Sequence, residues 1–189
     1  SSATPIQCTL ETFDIGQCPP YVALSYTWGP PEVCETVIIN GRPMQVRENL
    51  HAVLSVLRNK GNTCFSEDAT RERNLVRQHF WIDAICINQQ DLHERGHQVD
   101  LMAPIFSQAA CVIAWLGPES RDSALAINVI RTGNPRTVDE VQVDQKVYVN
   151  EYSRDRHRIR SALFSLLARP YWRRMWIVQE FTLPRNLLL

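Results

Sequence analysis

The stretch HFWIDAICINQQDLHERGHQVDLMAPIFSQAACVIAWLG, residues 79–117, decides the fold. Its first part, His79 to Ile87, is a near-continuous apolar run and reads as a buried strand. Val99, Met102, Ala103, Phe106 and Ala110 then fall on one helical face, which predicts a helix from about Gln90 to Gln108. A second apolar run, Cys111 to Leu116, is closed by Gly117-Pro118 and reads as another strand. Strand, helix and strand at this spacing form a βαβ unit, and such units build parallel sheets with right-handed crossovers.

Upstream, Tyr21 to Trp28 (YVALSYTW) is aromatic and β-branched and runs into Gly29-Pro30-Pro31, so it predicts one more buried strand ended by a tight turn. ETVIINGRPMQV carries Asn40-Gly41 between two extended runs, the strongest short signal for a hairpin. Leu50, Val53, Leu54 and Leu57 recur at helical spacing, with Gly61 as the expected C-terminal cap. Residues 66–78 are charged and without period, the pattern of a loop. Downstream, Ser120 to Arg131 predicts a helix, and Gly133 to Arg158 reads as a polar insertion or long loop. Ile159, Leu163, Leu166 and Leu167 mark a further helix ended by Arg169-Pro170. Pro170 suits the first turn of the next one, PYWRRMWIVQEF, and Leu187 to Leu189 begin a last strand. The expected fold class is α/β: a mainly parallel sheet flanked by helices, with the hairpin added and a helical or loop insertion, in one domain spanning residues 1–189 with its core at about 21–183.

Composition narrows the function. The 189 residues carry 20 Lys+Arg against 20 Asp+Glu, so the positive surplus that drives phosphate-backbone binding is missing and a nucleic-acid partner is not expected. No run reaches the 18 apolar residues of a membrane span, and SSATPIQ lacks the features of a signal peptide; a soluble piece of a longer protein is expected. The six cysteines, at 8, 18, 34, 64, 86 and 111, are widely and irregularly spaced without a Cys-x-x-Cys pair, which favours free thiols over disulfides or a zinc ribbon.

Ligands of open parallel sheets bind beyond the carboxyl ends of the strands. Those ends carry Ser25, Tyr26 and Trp28 after the first strand and Asp83, Asn88, Gln89 and Asp91 after the second. Carboxylates and amides can bind sugar hydroxyls and aromatic faces a base; the competing reading is that Asp83 and Asn88 cap loop and helix backbone. Trp172, Met175 and Trp176 form an expected aromatic stripe that ends on Glu180. That carboxylate is a candidate for a desolvated functional group, or else for a salt bridge with Arg173, Arg174 or Arg185. His93-Glu94-Arg95-Gly96-His97 is a literal His-Glu-x-x-His, the pattern of a zinc metalloprotease. Its histidines, however, lie more than about 100° from the expected core face, and Ala103 stands where a third histidine would be needed. No metal is therefore expected. Cys86, with no neighbour to lower its pKa, reads as a structural thiol.

Four ordered blocks, YVALSYTWG, WIDAICINQQD, ERGHQVDLMAPIFSQAACVIAWLG and RPYWRRMWIVQE, together resemble the fungal heterokaryon incompatibility (HET) domain from about Tyr21 to Glu180. The resemblance implies a cytoplasmic module of filamentous fungi that triggers programmed cell death on meeting non-self, usually within a larger receptor. It also implies a distant relation to TIR domains, which are flavodoxin-like α/β sheets. Many TIR domains cleave NAD at the nicotinamide–ribose bond with a Glu four residues after a Trp, the spacing of Trp176 and Glu180 here, although Ile177 stands where TIR domains commonly have a small residue. By that resemblance Glu180 is the catalytic candidate. Ser25, Tyr26, Trp28, Asp83, Asn88, Gln89 and Trp176 are the substrate-binding candidates, NAD is the substrate rather than a cofactor, and neighbouring copies complete the site on activation. The alternative is a non-catalytic adaptor that works by self-association, together with other domains of the same receptor.

Overall fold

The computed structural model describes residues 4–60, 79–133 and 148–189. In chain order the elements are β1 (Gln7–Cys8), β2 (Tyr21–Tyr26), β3 (Cys34–Ile39), β4 (Arg42–Arg47), α1 (Glu48–Lys60), β5 (His79–Trp81), α2 (Asp83–Cys86), α3 (Leu92–Asp100), α4 (Met102–Gln108) and β6 (Cys111–Trp115). These are followed by α5 (Ser123–Thr132), α6 (Tyr148–Leu167), a 3₁₀ turn (Pro170–Arg173), α7 (Ile177–Thr182) and β7 (Leu187–Leu188). The chain divides into two compact units, residues 1–117 with 174–189, and residues 118–173. The charged stretch 66–78, Cys64 and the Gly61 cap lie outside the described residues.

The first unit holds a four-stranded, wholly parallel sheet in the order β5-β2-β6-β7. Counted along the chain these strands lie 2-1-3-4, so successive connections leave the first strand in opposite directions. β2 is buried on both faces because its period-2 alternation is filled on both. Leu24 and Tyr26 pack with α1 and the hairpin (Val37, Ile39, Val46, Leu50, Val53, Leu54), whereas Ala23 packs with Val112, Met102, Phe106 and Ala109. The hairpin forms as expected, its turn made by Asn40 (φ 50) and Gly41 (φ 75), both in the left-handed region that this turn type requires. It joins β1 in a second, three-stranded sheet of order β1-β3-β4, with β1 running parallel to β3.

Four boundaries differ from the sequence reading. The strand expected over His79 to Ile87 stops at Trp81; the Ile82 carbonyl then takes the amides of Ile85 and Cys86 at 2.9 and 2.8 Å, starting the helical turn α2. A buried apolar run suits a strand and a buried helical turn alike, so hydrophobicity alone does not separate them. The helix expected from Gln90 to Gln108 is broken at Leu101. Pro104 has no amide for the Asp100 carbonyl and its ring would clash with it, so α4 starts afresh with Pro104 in its first turn. The expected loop to Arg158 is helical from Tyr148 onward, because polar but helix-tolerant residues form a helix without an apolar stripe to announce it. Finally, PYWRRMWIVQEF is not one helix: the chain leaves the 3₁₀ turn at Arg173 and α7 begins only at Ile177.

In the second unit α5 packs against α6, with Ala126, Ala162 and Leu166 buried. Arg169 reaches Ser123 at 2.7 Å, and the Trp172 indole donates to the Leu166 carbonyl at 2.9 Å.

Candidate functional site at the carboxyl end of the central strand

Alternation along β2 sends consecutive residues to opposite faces of the sheet, and two polar clusters result. On one face Ser25 meets Glu180 of α7. Ser25 and Glu180 are the fully buried polar side chains among the described residues, each 1% exposed. The Ser25 hydroxyl donates to Glu180 Oε2. Arg174 grips the same carboxylate with both ends of its guanidinium, Nη1 to Oε2 at 2.7 Å and Nη2 to Oε1 at 2.9 Å. An Arg fork on a carboxylate is the strongest common side-chain pairing, and burial removes the water that would weaken it.

On the other face Tyr26 and Trp28 converge on Asp83. The Trp28 indole donates to Asp83 Oδ2 at 2.7 Å, the Ala84 amide to Oδ1 at 2.7 Å, and the Tyr26 hydroxyl also bonds the carboxylate. Burial pushes the Asp83 carboxyl above the usual aspartate range, against the bonds from Trp28, Tyr26 and Ala84 and the charge of Arg174, which pull it down. Burial and the neighbouring Asp83 hold the Tyr26 phenol protonated, hence a donor. Arg47 stacks 5.1 Å from the Trp28 ring and bonds the Gly29 carbonyl at 2.6 Å, while Asn49 joins the Thr27 carbonyl to the Trp115 indole. Gly29 (φ 79) supplies the left-handed turn that ends the strand.

Of the candidates read from sequence, Ser25 and Glu180 meet directly, and Tyr26, Trp28 and Asp83 form the second cluster. Gln89 joins that cluster through its amide, which donates to the Asp83 backbone carbonyl at 3.0 Å. Asn88 is exposed and accepts from the Gln90 amide at 3.2 Å, so it serves the loop backbone. Trp176 is 42% exposed and Met175 86%, so the expected stripe of Trp172, Met175 and Trp176 ending on Glu180 does not exist. Its cause is the break before α7. In an unbroken helix residues six apart point about 120° away from each other, and only the interruption lets Arg174 reach Glu180. Asp91 caps α3 by accepting from the His93 and Glu94 amides. Glu94 in turn accepts from the Asn88 amide at 2.9 Å, and His93 and His97 face solvent. Among the described residues no group of three or more His, Cys, Asp or Glu is placed to hold a metal ion.

Arg47 and Asn49 were not signalled by any motif. They come from the junction of β4 and α1, and only the strand ends they bridge give them a role. Gln179, beside Glu180 in sequence, keeps a buried side-chain oxygen without a hydrogen-bond partner among the described residues. A cavity of about 1040 Å³ lies elsewhere in the first unit, lined by residues including Phe13, Tyr21, Leu57, His79 and Phe80; none of Ser25, Tyr26, Trp28, Asp83 and Glu180 faces it. Cys8, Cys18, Cys34, Cys86 and Cys111 are free thiols.

The sequence profile described as "Heterokaryon incompatibility protein (HET)" matches residues 21–180, from the first residue of β2 to the buried carboxylate itself. The chain belongs to the HET family. It is also 27% identical, over 209 aligned positions covering 94% of its length, to "Heterokaryon incompatibility protein 6, OR allele" of Neurospora crassa. The chain spans 29% of that relative's length. No solved structure matches it. The boundaries of the HET match enclose both polar clusters, and they also enclose the second unit, residues 118–173.

Proposed function

We propose that this HET domain is a cytoplasmic effector of programmed cell death in fungal non-self recognition, and that it acts by cleaving NAD at the nicotinamide–ribose bond. One observation carries the enzymatic part: a carboxylate, Glu180, is buried together with a serine at the carboxyl end of the central strand. Ionisable groups are kept out of water at a cost, and functional sites are where that cost is met. The 2-1-3-4 strand order supports a flavodoxin-like reading, in which ligands sit where successive connections diverge. The Trp176–Glu180 spacing fits the cleavage reading, and the name of the Neurospora relative supports the role in heterokaryon incompatibility.

In the reaction, the bond between ribose C1′ and the pyridinium nitrogen breaks and its electron pair stays on nicotinamide, which leaves neutral. Positive charge builds on the ribose; the Glu180 carboxylate stabilises it more than it stabilises bound NAD. Water then bonds to C1′ and releases a proton, giving ADP-ribose. Ser25 positions the carboxylate, while Tyr26, Trp28 and Asp83, bonded to one another, brace the strand end from the opposite face.

A second reading is favoured by the closure of the ion pair: with Arg174 on both oxygens, Glu180 would serve only to fasten α7 to β2 in a non-catalytic, self-associating adaptor. The deciding experiment is Glu180→Gln, followed by nicotinamide release and cell killing. The enzymatic reading expects both to fall at least about a hundredfold, roughly 2.7 kcal/mol of transition-state stabilisation. A Glu180→Gln domain that still kills at the normal rate sinks that reading.

A further inference from the structure

Both oxygens of Glu180 are occupied. Oε2 accepts from Arg174 Nη1 and the Ser25 hydroxyl, and Oε1 accepts from Arg174 Nη2. At 1% exposure the carboxylate cannot meet a ribose while this arrangement lasts. Ser25 lies in a sheet strand and is fixed. Arg174 is the partner that can leave: its side chain is 19% exposed and its backbone lies in the irregular stretch between the 3₁₀ turn and α7.

An arginine withdrawn from a buried carboxylate needs another anion, since an unpaired charge in a dry site is costly. Its planar fork matches phosphate oxygens as well as it matches a carboxylate. A dinucleotide brings a diphosphate into the site together with the ribose that needs Glu180. We infer that Arg174 exchanges partners on substrate binding, passing from Glu180 to the diphosphate and so freeing the carboxylate for the ribose. The inference rests on the NAD-cleavage reading above and deepens it: Arg174 makes the site select nucleotides that carry a diphosphate. A substrate with the same scissile bond but no phosphate would leave the carboxylate locked.

Two measurements test it. The first uses ADP as a non-reacting diphosphate, titrated calorimetrically against wild type, Glu180→Gln and the double variant Glu180→Gln/Arg174→Ala. Neutral Gln holds the guanidinium less firmly, so Glu180→Gln binds ADP about tenfold or more tightly than wild type, and the double variant loses that gain. The double variant contains no unpaired buried carboxylate, which protects the comparison from a folding defect. The second compares nicotinamide release from NAD and from nicotinamide riboside. Wild type prefers NAD by about a hundredfold or more in kcat/KM; Arg174→Ala narrows the preference to under about tenfold, with a raised KM for NAD. Equal ADP affinity in the single and double variants overturns the exchange even if NAD is cleaved. Arg174-dependent ADP binding in a wild-type domain that cleaves neither substrate upholds the anion contact and overturns the cleavage reading.

Discussion

Glu180 gives the catalytic and the structural readings opposite signatures in two observables. Glu180→Ala strips Arg174 of its bidentate partner and leaves a partly buried guanidinium; a cost of about 3–5 kcal/mol in urea unfolding is expected. Glu180→Gln keeps shape and part of the hydrogen bonding, so the smaller stability loss leaves activity readable. Asp83 makes a prediction in pH. Its carboxyl is raised in the folded chain, so between the ordinary aspartate value, about 3.9, and the folded value the native state holds more protons than the unfolded one. Stability therefore falls as pH rises through that window and then levels off. Asp83→Asn removes this slope; melting temperatures of wild type and variant across the acidic range check it, and parallel curves would show that Asp83 does not titrate as described. Which partners these residues have was only partly legible. Arg174 stood among three arginines able to pair with Glu180, and nothing in linear spacing ranks residues that meet through a break in a helix.

At the scale of elements, the signals that succeeded are those with a local cause. The Asn40-Gly41 turn needs two left-handed residues, and Gly41→Val, placing a β-branched side chain at φ 75, is expected to cost about 1–2 kcal/mol in denaturant unfolding. The cap of α3 is equally local: Asp91 accepts from two amides, so Asp91→Ala is expected to lower stability by about 1 kcal/mol, read in the same way. The elements misread from sequence share a different cause. Asp83 starts a helical turn where an apolar run looks extended, and Tyr148 starts a helix where no apolar stripe is visible. In both, the local sequence is compatible with two conformations, so its pattern alone does not choose between them. The break between the 3₁₀ turn and α7 belongs here too. It replaces a tryptophan stripe with an Arg174–Glu180 pair, and an exposed Met175 and Trp176 result.

For the whole molecule, assembly is the remaining test. If neighbouring copies complete the site, nicotinamide release per molecule should rise steeply with protein concentration, in step with a larger mass by light scattering. A specific activity constant over dilution would place the complete site within one chain. Among the described residues no helix is long and apolar enough to cross a membrane. The α/β class and the parallel pairing were set by sequence alone, because apolar runs of strand length separated by an amphipathic segment admit few other burials. Sequence also marked the strand ends as the place for polar chemistry. The division of that chemistry was a tertiary decision. Ser25 and Tyr26 are neighbours in the chain, yet the pleat sends one to Glu180 and Arg174 and the other to Asp83 and Trp28. Glu180 on α7 and Asp83 on α2 reach the strand from 155 residues beyond Ser25 and 57 beyond Tyr26. Side-chain alternation is written in the strand, but what waits on each face is decided only when the sheet is covered.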